Sequence, residues 1–321
     1  MAPSLERRMR DFCYSKPSDS FGGSLEAFMF LLSIFLVLVA CTQAFAETAT
    51  PSRIVSFAPS FDETIIELGL QDRIVGVTTS SDYLGEVKSA ERVGLWVRPN
   101  VEKIIELKPD LVLATDFVGQ QSAVKKLSSL GLRVVVIDET QGIEELFAKT
   151  KQIGDILGAD EKTEKLLDRM RKTVEDTKRQ TASLSSRPRV YVETGFNPLF
   201  TCGQGSFIND LIEIAGGKNI AGEIKQTFPR ISSEFILNSD PEVIILPYMG
   251  RSFGKEALKQ RKGWENISAV KTSRVYDDIG SHVITIPSPR LILQGLPELL
   301  KRIHPEITEK RRTNETENNE Q

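Results

Sequence analysis

The sequence has few of the residues on which most catalytic and metal chemistry rests. Among 321 residues there are three cysteines and two histidines. Three cysteines cannot build a disulfide scaffold, and His282 and His304 alone do not make a histidine-rich zinc site. Charge of one sign is not in surplus. Lys and Arg number 41 against 44 Asp and Glu, a net of −3, where a nucleic-acid binder carries a basic excess. The glycines are not set for a dinucleotide. After Gly203-Gln204-Gly205, Ile208 stands where the Gly-x-Gly-x-x-Gly fingerprint needs its third glycine. No Ser-His-Asp arrangement is legible, and Cys202 has His282 as its one candidate base. These absences predict no enzyme and no catalytic cofactor.

Long apolar runs are also missing. The longest, residues 27–40, has thirteen apolar residues of fourteen, Ser33 being the exception. That falls short of the ~20 needed to span a bilayer. Arg7, Arg8, Arg10 and Lys16 precede it, and Ala44-Phe45-Ala46 follows as a small-x-small cleavage site. This layout predicts a secretory signal over residues 1–46, with Met9 as an alternative start. Leu38-Val39-Ala40-Cys41 also fits a bacterial lipobox, with Cys41 as the lipidated residue; stable anchoring then takes more than one acyl chain. Cleavage after Ala46 and lipidation at Cys41 both place the mature chain outside the cytoplasm. At the other end, residues 306–321 are polar and lack aromatics, which predicts a disordered tail.

What is there is a regular alternation. Residues 53–57, 74–78, 111–114 and 132–137 read as strands. Residues 62–68, 101–107 and 120–130 read as helices, with Gly69 and Gly131 at two of the C-termini. Residues 142–184 show no strand signal and a helical period, as one helix or two, the last one long. From Arg189 the alternation resumes. The expectation is an α/β fold with largely parallel sheets: an N-terminal lobe at 52–140, a helical linker at 141–187 and a C-terminal lobe at 188–305. The lobes echo each other. The stretch at 65–76 matches 211–222 at an offset of 146, and Asn100 to Leu113 matches Ser232 to Ile245 at an offset of 132.

A crevice between two such lobes is a natural ligand site. Phe57-Ala58-Pro59-Ser60-Phe61 follows the first strand, and its counterpart at 195–205 is long, apolar and glycine-rich. Pro and Phe in both loops suit a flat apolar ligand better than a sugar or a small ion. Tyr83, Trp96 and Phe228 lie in loop-rich stretches, whereas Trp264 reads as local packing. Glu102 and Glu234 each fall in the first turn of a helix, after Asn100 or Ser232 as N-cap. The helix dipole alone explains one such acid, at ~0.3–1 kcal/mol; a matched pair, one per lobe, points to two-point docking on a pseudo-symmetric partner.

The stretches RIVSFAPSFDETIIELG, NVEKIIELKPDLVLAT, GFNPLFTCGQGSFINDLIEIAGGKNIA and ISSEFILNSDPEVII resemble the periplasmic cobalamin-binding proteins of ABC importers. These sit within the wider group that binds ferric siderophores, haem and cobalamin. The resemblance implies two Rossmann-like lobes joined by a long helix, as in class III periplasmic binding proteins, in a periplasmic monomer. It implies cobalamin or a related corrinoid as cargo, with haem or a ferric siderophore as the alternative. Ala58, Pro59, Tyr83, Trp96, Phe200 and Phe228 would line the cleft, Phe228 standing where a Trp is usual. Glu102 and Glu234 would meet arginines of a permease dimer, and membrane contact would come through that permease or a lipid anchor. Tyr83 or His282 would serve a haem, Arg98 and Arg230 a siderophore. One departure stands out: the acid and base that precede the family's Ser-Pro-Arg motif are His282 and Ile286 here. His282 is thereby a candidate axial ligand to cobalt or iron, or else a loop residue bonded to backbone.

Overall fold

The computed structural model describes residues 50–247, 254–258 and 260–307. The expected export segment, with Cys41 and the cleavage site expected after Ala46, lies outside them, as do the residues beyond Ile307. Among the described residues no helix is long and apolar enough to cross a membrane.

Five strands form a first sheet: β1 Ile54–Ser56, β2 Ile74–Val77, β3 Glu91–Arg92, β4 Leu111–Thr115 and β5 Val134–Ile137. Their order is β3-β2-β1-β4-β5, and every pairing is parallel. A second sheet is built from β6 Arg189–Val192, β7 Lys218–Asn219, β8 Val243–Ile245 and β9 Val275–Tyr276. Its order is β7-β6-β8-β9, again all parallel. The inner strand of each sheet, β1 or β6, has the next strand in sequence on one side and β4 or β8 on the other. That reversal is the switch point at which an α/β sheet opens a crevice beyond its strand ends. The shared strand order explains the two repeated sequence blocks.

Among the described residues the α-helices longer than four residues are α1 Pro59–Glu67, α2 Val101–Glu106, α3 Gln121–Ser129, α4 Ile143–Ile156, α5 Asp160–Thr181, α6 Phe207–Ile214, α7 Ser233–Ser239, α8 Ser281–Thr285 and α9 Leu296–Ile303. Caps set their ends. The side chains of Asn100, Ser206 and Ser232 accept from the backbone N–H of Lys103, Asn209 and Phe235. Gly69 and Gly131 take positive φ, and the N–H of Leu70 and Leu132 close back on the carbonyls of Ile65 and Leu127. Helix α1 begins at Pro59, three residues before its expected start, because proline's fixed φ suits the first helical position and the Phe61 N–H already reaches the Ala58 carbonyl.

Alternation along the strands sends side chains to opposite faces, and both faces are covered. Ile54, Leu111 and Leu113 of the first sheet share one apolar cluster with Val190, Val192, Val243 and Ile245 of the second. Ile153, Leu166, Leu167 and Met170 of α4 and α5 belong to the same cluster. The outer faces have clusters of their own, around Val55 and Val112 in one half and Tyr191 and Ile244 in the other. The linker, expected as one helix or two, is two, and one face of each belongs to the core; α5, about 33 Å long, runs along both halves. Gly154 lets α4 meet α5: a Cβ there would stand 1.9 Å from Thr163 Oγ1.

Two further expectations change. His282 is helical, in α8, where the Thr285 hydroxyl donates to the Ser281 carbonyl at 2.6 Å. The tail does not start at Glu306: residues 305–307 make a helical turn, Glu306 pairs with His304 Nδ1 at 2.8 Å, and Ile307 packs on the shared core.

Candidate ligand cleft

The carboxyl ends of β1, β4 and β5 open on a cleft of about 380 Å3. Ala58, Pro59 and Ser60 follow β1, Thr115 ends β4, and Asp138, Glu139 and Thr140 follow β5. Residues from the second half of the chain form the facing wall. These are Phe207 at the start of α6, Phe228, and Thr285, Ile286 and Pro287 at the end of α8.

Backbone ties fix the aromatic rings. Trp96 sits at the turn of a small antiparallel ribbon that pairs Gly94–Leu95 with Arg98–Pro99. Gln120 holds that turn to the first sheet: its amide donates to the Trp96 carbonyl at 3.0 Å, and its Oε1 accepts from Thr115 N at 2.9 Å. The Trp96 ring stacks on Phe117 with centroids 4.4 Å apart. Across the cleft, Phe207 follows the Ser206 cap, and Phe228 meets it edge-on at 6.2 Å. Phe228 remains 40% exposed, so its face is available to a ligand.

Of the residues expected to line the cleft, Ala58, Pro59, Trp96 and Phe228 are brought together there. Tyr83, Phe200 and His282 are not in its lining. Phe200 lies in a second ribbon, Gly195–Phe196 with Leu199–Phe200, and bridges to Arg230. Tyr83 and His282 stack on each other with ring centroids 4.7 Å apart. Burial, and then the Arg290 charge, push the His282 imidazole below its ordinary range. The cleft residues that were not anticipated include Asp138, Glu139, Phe207 and Thr285. The rule that picked out Ala58 and Pro59, residues just past a strand's carboxyl end, applies equally to Asp138 and Glu139.

Next to the cleft lies a buried acid network. Glu63 accepts from the Tyr83 hydroxyl at 2.6 Å and from the Ser288 hydroxyl, and burial raises its carboxyl. Asp62 accepts from Ser81, has no partner for Oδ1, and is pushed up to about 7 by burial. Arg290 bridges Glu67 and Glu86. These contacts pin residues 282–290 to α1 and its neighbours, and so hold the Thr285–Pro287 wall in place.

A larger groove, about 1000 Å3, is lined by α4, α5, α6 and the segments after them rather than by strand ends. Its Arg171, Lys178 and Arg187 are interspersed with Glu144, Glu175, Asp210 and Glu213, the mixed charge of a solvated helix surface. Trp264 is core: fully buried, edge-on to Tyr191, with its indole N–H donating to Ser233 at 2.6 Å. Cys202 is buried too, and burial pushes its thiol up to about 12. Among the described residues no group of three or more His, Cys, Asp and Glu could hold a metal ion. Gly250-Arg251-Ser252-Phe253-Gly254 has Gly-x-Ser-x-Gly spacing, which qualifies the expectation of no enzyme, but its first four residues lie outside the described ones.

Glu102 and Glu234 occupy equivalent places. Each is exposed in the first turn of a capped helix, α2 or α7, that leads into the strand beside the inner one, β4 or β8.

A family model described as periplasmic binding protein matches residues 54–279. An uncharacterized ABC transporter substrate-binding lipoprotein, YvrC, of Bacillus subtilis strain 168 is 34% identical over 261 residues, covering 80% of this chain and 81% of that protein. A vitamin B12-binding protein of Pectobacterium carotovorum subsp. carotovorum strain PC1 is 30% identical over 263 residues, covering 80% and 89%. The crystal structure of the periplasmic vitamin B12 binding protein BtuF of Vibrio cholerae superposes with a TM-score of 0.64 at 26% identity, over 79% of this chain and 97% of that one. With its paired parallel sheets and long α5, the chain belongs to the periplasmic binding protein family and has the class III fold.

Proposed function

We propose that this protein is the extracytoplasmic binding protein of an ABC importer and that its cargo is a corrinoid, cobalamin or a close relative. It captures the cargo between a lobe at 52–140 and a lobe at 188–305, joined by α4 and α5, and catalyses nothing. The observation that carries the choice of cargo is the make-up of the cleft. Trp96, Phe61, Phe207, Phe228 and Ile286 offer apolar faces, and among the described residues no Lys, Arg or His lines it. A corrin is a broad, largely apolar disc with neutral amide arms. Haem carries two propionates and ferric siderophores are commonly anionic, so both call for basic partners. The relatives named as vitamin B12-binding support the same reading.

Export places the protein in the periplasm, freed by cleavage after Ala46 or held at the membrane by lipid on Cys41. It works as a monomer. Glu102 and Glu234 serve as the docking acids, one for each subunit of the permease dimer.

The test is a tryptophan fluorescence titration of the purified protein with cyanocobalamin, cobinamide and haemin, corrected for inner-filter absorption. Trp96 reports from the cleft, while buried Trp264 stays silent. Saturable quenching by a corrinoid supports the reading. No corrinoid response together with a haemin response and a shifted Soret band transfers the function to haem uptake.

A further inference from the structure

The charge of the cleft goes further than its apolar faces. Asp138 and Glu139 follow β5 and are the charged residues in the lining among the described residues. Both are exposed, and neither carboxylate has a hydrogen-bond or ion-pair partner among the described residues. Glu139 N donates to Asp116 Oδ1 at 3.1 Å, which brings a third carboxylate to the same corner. Lys149 approaches from α4, but its ammonium is spent on the Asp138 and Glu139 carbonyls at 2.6 and 2.7 Å and lies 3.7 Å from Glu145.

A corrinoid's net charge depends on what it carries. With a trivalent cobalt, a monoanionic corrin ring and one cyanide, the complex is a cation. The nucleotide arm of cobalamin adds a phosphodiester, which cancels that charge. A cleft mouth with free carboxylates and no base in its described lining therefore tells these forms apart, because opposite charge attracts and the phosphate meets only like charge.

We propose that Asp138 and Glu139 make this cleft select corrinoids with a net positive charge, the phosphate-free cobinamide type above all, over neutral cobalamins. The inference rests on the corrinoid reading of the same site. Both carboxylates are solvent-exposed, so the preference is modest and falls with ionic strength.

The experiment compares aquacyanocobinamide with cyanocobalamin, by fluorescence titration at low and high salt. It uses the wild-type protein and the double variant Asp138→Asn/Glu139→Gln, whose isosteric amides leave the exposed loop intact; circular dichroism checks the fold. The expected result is a preference of roughly tenfold for the cobinamide in low salt. That preference shrinks in high salt and disappears in the double variant. Equal affinity for the two corrinoids, or a preference that survives in the variant, overturns the selection by charge and leaves corrinoid binding standing. Failure to bind either corrinoid overturns the corrinoid reading, and the selection with it.

Discussion

The Tyr83 hydroxyl donates to Glu63 at 2.6 Å, and its ring lies on His282 at 4.7 Å. One side chain thus joins α1 in the first half of the chain to α8 in the second. Ser288 binds the same carboxyl, so Glu63 is the knot that fixes the wall of the cleft. Tyr83→Phe keeps the stack and removes the donor from a buried acid. A hydrogen bond to such a group is worth ~1.5–3 kcal/mol. Urea unfolding should show a loss of that order with an unchanged slope; an unaltered midpoint means that the tie does not hold the fold.

Asp62 gives stability a pH dependence. Its folded carboxyl titrates near 7, against 3.8 for the free group, because burial disfavours the charged form. A raised pKa means that folding retains a proton the unfolded chain has released. The contribution is complete below about pH 4 and is lost as pH rises toward about 7, a change on the order of 4 kcal/mol. Glu63 is raised by the same cause and acts in the same direction. Asp62→Asn should flatten the decline of the urea midpoint between pH 4 and 7 and make the variant the more stable protein at pH 8. A wild-type midpoint that stays level across that window contradicts the assignment.

Partly buried Trp96 and exposed Phe228 are both aromatic contacts in the lining of the cleft. Truncating a central aromatic anchor typically costs more than ~1 kcal/mol. Trp96→Ala and Phe228→Ala should each weaken corrinoid binding at least about fivefold, by calorimetric titration. Phe200→Ala, outside the lining, should not. A Phe200 effect as large as that of Trp96 indicates a bound state in which the ribbon at 195–200 closes over the ligand.

Charge reversal of Glu102 and Glu234 separates capture from delivery. Both are exposed and stand apart from the cleft lining. Glu102→Lys/Glu234→Lys should bind cargo with unchanged affinity and fail to stimulate the ATPase of the reconstituted importer. Normal stimulation removes the docking role.

Cys202 should be inert in the folded state. Its thiol is buried and pushed up to about 12, and only the thiolate reacts. Alkylation at pH 8 should proceed in denaturant and be negligible without it. Rapid native labelling means that the second half opens around Asn219, whose amide binds the Cys202 carbonyl.

The alternation of strands and helices, the caps at Asn100, Ser206 and Ser232, and the two sequence echoes are local properties. A β-branched run, a side-chain oxygen before a helix or a glycine after one acts within a few residues, and each appears where the amino acids say. The apolar loop after β1 was equally legible, because a strand's carboxyl end is a position in sequence as well as in space. Contacts between distant segments were not. Glu63 to Ser288 spans 225 residues, and Arg290 to Glu67 spans 223. Nothing in the spacing of Tyr83 and His282 shows that they meet. Their meeting takes both out of the lining and leaves Asp138 and Glu139 to set its charge. The sequence by itself determined the class of fold, the repeat and the caps, since short-range sterics and hydrogen bonds fix them. Only the tertiary structure decided which side chains share the cleft, because that depends on how one core, common to both sheets, brings remote segments together.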